Sequence, residues 1–141
     1  MEGFDVKKGT YTIEEREKGK DWGNFLFNEC SYILYVSHLG DTNSKFLNRE
    51  AVQVTVNAPQ SSFIYIRDEK TKKYWDVAGY PTMVPVKRYR CVHGQKFTEI
   101  SSAYEGIDCR ITYAVAPSDT YEIRQVTLKN KTARPRDLSV F

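Results

Sequence analysis

The sequence predicts an antiparallel all-β sandwich. Three observations carry that expectation. Short apolar or alternating runs follow one another with turn residues between them. Aromatic residues make up 13% of the chain, carried by 10 Tyr and 7 Phe, and such side chains suit pleated, half-buried surfaces. No heptad and no amphipathic stretch is long enough for a stable helix. A length of 141 residues fits one β-sandwich module with one modest core.

Taken in order, residues 1–21 read as a poorly defined polar lead-in. Within it Tyr11-Thr12-Ile13 forms a short strand, and Glu14 to Lys18, ahead of Gly19, is a solvated turn too short for a helix. Asp21-Trp22-Gly23-Asn24 has turn chemistry with a large aromatic embedded in it. Tyr32 to Val36 is an apolar strand ending at Gly40-Asp41. Val52, Val54 and Val56 alternate with Gln53 and Thr55, the pattern of a strand with one wet face, and Asn57-Ala58-Pro59 ends it. Phe63 to Ile66 is apolar on both faces, as in a strand covered on two sides. Arg67 to Lys73 is a charged hairpin tip, Tyr74-Trp75 resumes the strand, and Gly79 to Pro85 is looser.

The stretch Tyr89 to Thr98 joins two extended runs at Gly94, read as a tight hairpin in which glycine supplies a positive φ. Ile107, Cys109, Ile111, Tyr113 and Val115 share one face of the next strand, and Asp108, Arg110 and Thr112 the other. Pro117-Ser118-Asp119 turns the chain. Tyr121 and Ile123 then fall on the opposite phase from Val126 and Leu128, which predicts a β-bulge around Arg124-Gln125. Lys129 to Thr132 reads as a turn, and Pro135 opens a final run through Phe141. Stopping inside a strand-like run predicts either pairing with another chain or a piece of something longer.

Composition excludes several functions. A net charge of +3 from 21 basic and 18 acidic residues is too weak and too mixed for nucleic acid. Cys30, Cys91 and Cys109 form neither a disulfide framework nor a CxxC knuckle, so a reducing, cytoplasmic setting is expected. The sequon at Asn130-Lys131-Thr132 then has no meaning for glycosylation. No apolar stretch approaches a membrane span, and the start lacks a signal pattern.

The chemistry-bearing motifs are few. There is no Gly-rich phosphate loop and no GxSxG elbow. His38 and His93 lack ligand spacing, and Asp41-Thr42-Asn43-Ser44 opens like a calcium loop but continues with Lys45 and closes on Val52, so no metal is expected. His93 is either a site residue on a hairpin tip or an imidazole holding the turn. Tyr74, Trp75 and Tyr80, with Trp22, either stack on sugar rings or pack in the core. Lys87, Arg88 and Arg90 either hold an anion or form a solvated face or subunit contact. Glu14 and Glu15 lie on a charged tip with no desolvated pocket for a general acid. Cys91 and Cys109 read as small buried residues. Trp75, Tyr80 and His93 are thus the candidates for carbohydrate contact, and no residue is assigned a catalytic role.

Several segments together resemble a known family. They are Trp22-Gly23-Asn24-Phe25-Leu26-Phe27-Asn28, Phe63-Ile64-Tyr65-Ile66-Arg67-Asp68 with Tyr74-Trp75, and Tyr89-x-Cys91-x-His93-Gly94-x-x-Phe97-Thr98-x-Ile100. Gly106-Ile107, Glu122-Ile123 with Val126 to Asn130, and Pro135-Arg136-x-Leu138 to Phe141 continue the series. In order and spacing the chain resembles the amino-terminal β-domain of glycoside hydrolase family 94 phosphorylases, which include cellobiose, cellodextrin and chitobiose phosphorylases. The resemblance implies a galactose-mutarotase-like β-supersandwich, of which this chain is a partial one, about the first half. It implies a helical linker and an (α/α)₆ barrel elsewhere. The barrel would carry the general-acid Asp and the phosphate site for inverting phosphorolysis of a β-glucoside to a sugar 1-phosphate. No barrel position exists here, so no catalytic residue carries over. No cofactor is implied; inorganic phosphate enters only as co-substrate of the parent enzyme. The partners implied are a β-linked oligosaccharide, a second copy in a homodimer, and the helical-barrel domain. A free-standing carbohydrate-binding module using Trp75 and Tyr80, or a split-gene remnant without independent activity, are the alternatives.

Overall fold

The computed structural model describes residues 2–16, 21–48, 50, 52–55 and 62–141. Every regular element among them is a strand, and every pairing is antiparallel. The first sheet has the order β1 (Gly3–Asp5), β2 (Thr10–Ile13), β9 (Lys87–Gly94), β10 (Thr98–Tyr104), β11 (Ile107–Val115), β12 (Glu122–Asn130). The second is β3 (Gly23–Phe27), β4 (Tyr32–Ser37), β5 (Thr42–Leu47), β6 (Gln53–Thr55). The third is β13 (Leu138–Val140), β7 (Tyr65–Asp68), β8 (Tyr74–Asp76). The expected all-β antiparallel sandwich is therefore present.

The core lies on the inner face of the large sheet. Period two places Ile107, Cys109, Ile111 and Tyr113 on that face, all buried, beside Ile13, Cys91 and Ile100 from the paired strands. Leu26, Tyr32, Leu34 and Val36 of the second sheet close over them, and Ile66, Trp75 and Val77 complete the cluster from the third. At one margin Tyr32 donates its hydroxyl to Glu122 at 3.2 Å, while Arg124 pairs with Glu122 and donates to Ser62 at 3.1 Å. These bonds tie the outermost long strand to the second sheet, so the polar residues at the sandwich edge are partnered.

Several expectations need correction. The strand read at Tyr11-Thr12-Ile13 is β2, paired with β9, but the polar lead-in also contains β1, which backbone pairing with β2 holds in place without an apolar pattern of its own. Gly23-Asn24 opens β3 rather than a turn, and the stretch compared with a calcium loop is β5. The strand at Val52–Val56 is a three-residue edge, Gln53–Thr55, with Val52 and Val54 exposed; Val56 and Asn57-Ala58-Pro59 lie outside the described residues, as do Glu17 to Gly19. The strand read at Phe63–Ile66 runs from Tyr65 to Asp68, so only the turn beyond it is the charged tip. β12 runs through Asn130, two residues into the segment read as a turn.

The bulge expected at Arg124-Gln125 is absent, since β11 and β12 stay in one register from Ile107↔Asn130 to Val115↔Glu122. Tyr121 and Ile123 are exposed, whereas Val126 and Leu128 turn inward. The two phases reflect the two faces of an edge strand, not a slip. The register shift lies instead between β9 and β10, at Ser101/Ala103, opposite Arg88 with its φ of 52°. The hairpin glycine is also different from expectation. Gly94 is the last residue of β9 and is not in the left-handed region; Gly106, in the next hairpin, has a positive φ of 78°.

Candidate functional site

The residues around Gly94 form one connected structure. A Cβ at Gly94 would lie 2.5 Å from the ring of Phe97, so the glycine leaves the space that the ring occupies over the backbone. Asn24 on β3 donates its side-chain amide to Gly94 O at 2.8 Å, to Phe97 O at 3.3 Å and to Thr98 Oγ1 at 3.2 Å. Thr98 is fully buried, and its hydroxyl lies 3.0 Å from His93 Nδ1. The same hydroxyl accepts from Asn24, and the other ring nitrogen of His93, Nε2, lies 3.7 Å from Cys91 Sγ. Burial, with His38 as a second cause, pushes the His93 pKa down to about 4. His93 is therefore neutral at physiological pH and sits in the sheet, not on the hairpin tip. Of its two readings, the geometry supports the structural one.

Trp75 has no exposed surface and tilts against Tyr104, with ring centroids 5.4 Å apart. Its indole is core packing and offers no face to a sugar. Tyr74, its neighbour, is exposed, and alternation along β8 explains the difference. Tyr80 is also exposed and stands edge-on to Phe63 at 6.1 Å, beside the cis Tyr80-Pro81 peptide. The loop that carries it is held from inside by Asp76, whose carboxylate accepts from Ala78 N, Tyr80 N and Thr82 Oγ1 at 2.9, 2.8 and 2.6 Å. Arg16 holds it from outside by donating to Gly79 O and Val84 O at 3.2 and 3.3 Å. Of the three candidates Trp75 is buried, His93 half-buried and Tyr80 exposed.

The basic cluster is dispersed. Arg88 pairs with Asp108, and Arg90 donates to Thr12 Oγ1 at 3.4 Å. Asp68, almost fully buried, is held down to about 2 by the Thr71 backbone N–H first and Arg136 second, opposite to the shift a general acid needs. Burial pushes the Cys91 and Cys109 thiols up to about 12, which makes them poor nucleophiles. Among the described residues no group of three or more His, Cys, Asp or Glu side chains could hold a metal ion. Nor is any helix among them long and apolar enough to cross a membrane.

Two surface features escaped the sequence. The outer face of the second sheet exposes Phe25 and Phe27, with the Tyr35 ring 5.0 Å from Phe25. These rings form an exposed aromatic strip on β3 and β4, beside the polar Asn43 and Lys45 of β5. The other feature is a groove of about 620 Å³ on the outer face of the large sheet, between β1 and the β9–β10 hairpin. Its lining comes from sequence-distant residues, so no local motif marks it.

Asn24, His93, Gly94, Phe97 and Thr98, all within the segments that carry the family resemblance, are the residues that meet in one cluster. The sequence matches the family described as glycosyl hydrolase 94, supersandwich domain, over residues 9–141. The chain belongs to this family. The supersandwich chain is 31% identical to a solabiose phosphorylase from Paenibacillus borealis over 84% of its own length and 16% of the relative's. It is 27% identical to an N,N'-diacetylchitobiose phosphorylase from Vibrio proteolyticus over 98% of its length and 18% of the relative's. With a 3-O-beta-D-glucopyranosyl-beta-D-glucuronide phosphorylase from Paenibacillus borealis it shares 29% identity over 93% of its length and 16% of the relative's. The chain thus spans less than a fifth of the length of these relatives.

Proposed function

We infer that this supersandwich domain is a non-catalytic module of a glycoside phosphorylase, serving as a scaffold and association surface and contacting carbohydrate. The parent enzyme would phosphorolyse a β-glucoside to a sugar 1-phosphate, with a helical-barrel domain as the catalytic partner. One observation carries the reading: the chain matches a named domain, not a whole phosphorylase, and covers 16–18% of phosphorylase relatives. The down-shifted Asp68 and up-shifted thiols agree with it, because none is poised for acid or nucleophilic work. The exposed Phe25 and Phe27 on the second sheet support association, since they present aromatic surface to a partner. Three free cysteines fit a cytoplasmic setting.

The direct test is to incubate the chain with N,N'-diacetylchitobiose or cellobiose and inorganic phosphate. No sugar 1-phosphate should form. Its appearance would overturn the non-catalytic reading. Association is tested separately by sedimentation: the chain should self-associate as concentration rises, and a strictly monomeric species would count against that part.

A further inference from the structure

We propose that the groove on the outer face of the large sheet is the carbohydrate-contacting site, taking an uncharged pyranoside. This deepens the carbohydrate part of the reading above and rests on it. The groove measures about 620 Å³, within the size range of small-ligand sites. Its floor and walls include Thr10, Thr12, Arg90, Val92, Phe97 and Glu99.

Three properties point to a sugar. The first is an aromatic wall. The Phe97 ring packs over the Gly94 backbone, in the space a Cβ there would need. A pyranose ring has an apolar C–H face suited to such a wall.

The second is charge balance. The charged groups lining the groove are Glu2, Asp5 and Glu99 against Lys7, Lys8 and Arg90, which cancel. A phosphate, a uronate or a cationic ligand would meet as many like charges as opposite ones, whereas a neutral polyol meets none of that repulsion.

The third is a supply of both donors and acceptors. Arg90 is donor-only, Glu99 acceptor-only, and Thr10 and Thr12 are both. Sugar hydroxyls need the same mixture. Both charged groups have polar neighbours on the sheet, and Glu14 also faces Arg90. Arg90 reaches Thr12 Oγ1 at 3.4 Å, and Glu99 lies 3.9 Å from Arg110.

The test is a titration of the isotope-labelled chain with cellobiose and with N,N'-diacetylchitobiose, following backbone amides by NMR. Saturable shifts should centre on Thr10, Thr12, Val92, Phe97 and Glu99, with a Kd of about 1 mM. Arg90→Ala and Glu99→Gln should each weaken binding about tenfold, and Tyr80→Ala should leave it unchanged. Glu99→Gln keeps the side-chain shape, so it reports on the site even where Arg90→Ala perturbs folding. If shifts map to the Tyr80 loop, and Tyr80→Ala abolishes binding while Glu99→Gln does not, the groove is overturned and carbohydrate contact stands. If neither disaccharide gives a saturable shift, both the groove and the carbohydrate contact fall, and the scaffold reading remains to be judged by sedimentation.

Discussion

At the scale of single residues, the family-resembling positions act through space and hydrogen bonds. Asn24 reaches three acceptors on the hairpin from a different sheet. Asn24→Ala should therefore remove the side-chain bridge between the two sheets and cost about 0.5–1.5 kcal/mol, measured by urea unfolding. Gly94→Ala should cost a similar ~1–3 kcal/mol by overpacking, and the second change Phe97→Leu should recover part of it by freeing the space. His93 gives a pH signature. Its folded pKa of about 4 lies below the ordinary value of 6.5, so between these values the unfolded chain binds more protons. Stability contributed by neutral His93 is present above pH 6.5 and is lost as pH falls towards 4. Urea unfolding of the wild type and of His93→Gln at pH 7, 5.5 and 4.5 checks this, with a shallower decline expected in the variant. Trp75 illustrates what a sequence shows of a residue and what it withholds. Its type suits a sugar platform and a core equally well, and only the fold, by burying it completely, decides between them. Trp75→Ala should cost about 3–5 kcal/mol as a cavity, so any loss of carbohydrate binding in that variant would report unfolding.

At the scale of elements, legibility followed the strength of the periodic signal. β11 was plain, because five alternating apolar residues meet one continuous core. β1, β3 and β5 were not, because their stability comes from backbone pairing with neighbours remote in sequence. The phase change along β12 resembled a bulge because an edge strand can place apolar side chains on its wet face. The actual bulge sits opposite Arg88, where nothing in the local sequence breaks phase. The groove was illegible for the same reason as β1: Thr10, Arg90 and Glu99 become neighbours only through the β2–β9–β10 pairing. The hairpin between β10 and β11 offers a contrast with Gly94. Gly106 has a φ of 78°, and a Cβ there would also meet Thr132. Gly106→Ala should destabilise by at least ~1 kcal/mol, and unlike Gly94→Ala it should gain nothing from Phe97→Leu.

At the scale of the whole molecule, the third sheet joins the two extremes of the second half of the fold. β13 pairs with β7 through Leu138↔Asp68, Ser139↔Arg67 and Val140↔Ile66, and Arg136 donates to the almost fully buried Asp68 at 2.5 Å. The folded pKa of Asp68, about 2, lies below the ordinary 3.8. The stabilisation it brings is thus present above pH 3.8 and is lost as the pH falls towards 2. Acid unfolding followed by circular dichroism should show a step in that window, and Asp68→Asn should remove the step while lowering stability at neutral pH. The same pairing sets an order of events during protein synthesis. A domain made at about 5–20 residues per second has β7 outside the ribosome long before β13 is made. Until residues 136–140 emerge, Asp68 lacks its arginine and the inner strand of the third sheet has one open edge. The nascent chain can assemble the large sheet first, but it carries a carboxylate without its arginine and an exposed strand through that interval. A pause placed just before codon 136 would prolong this state, and a chaperone that shields strand edges would matter most there.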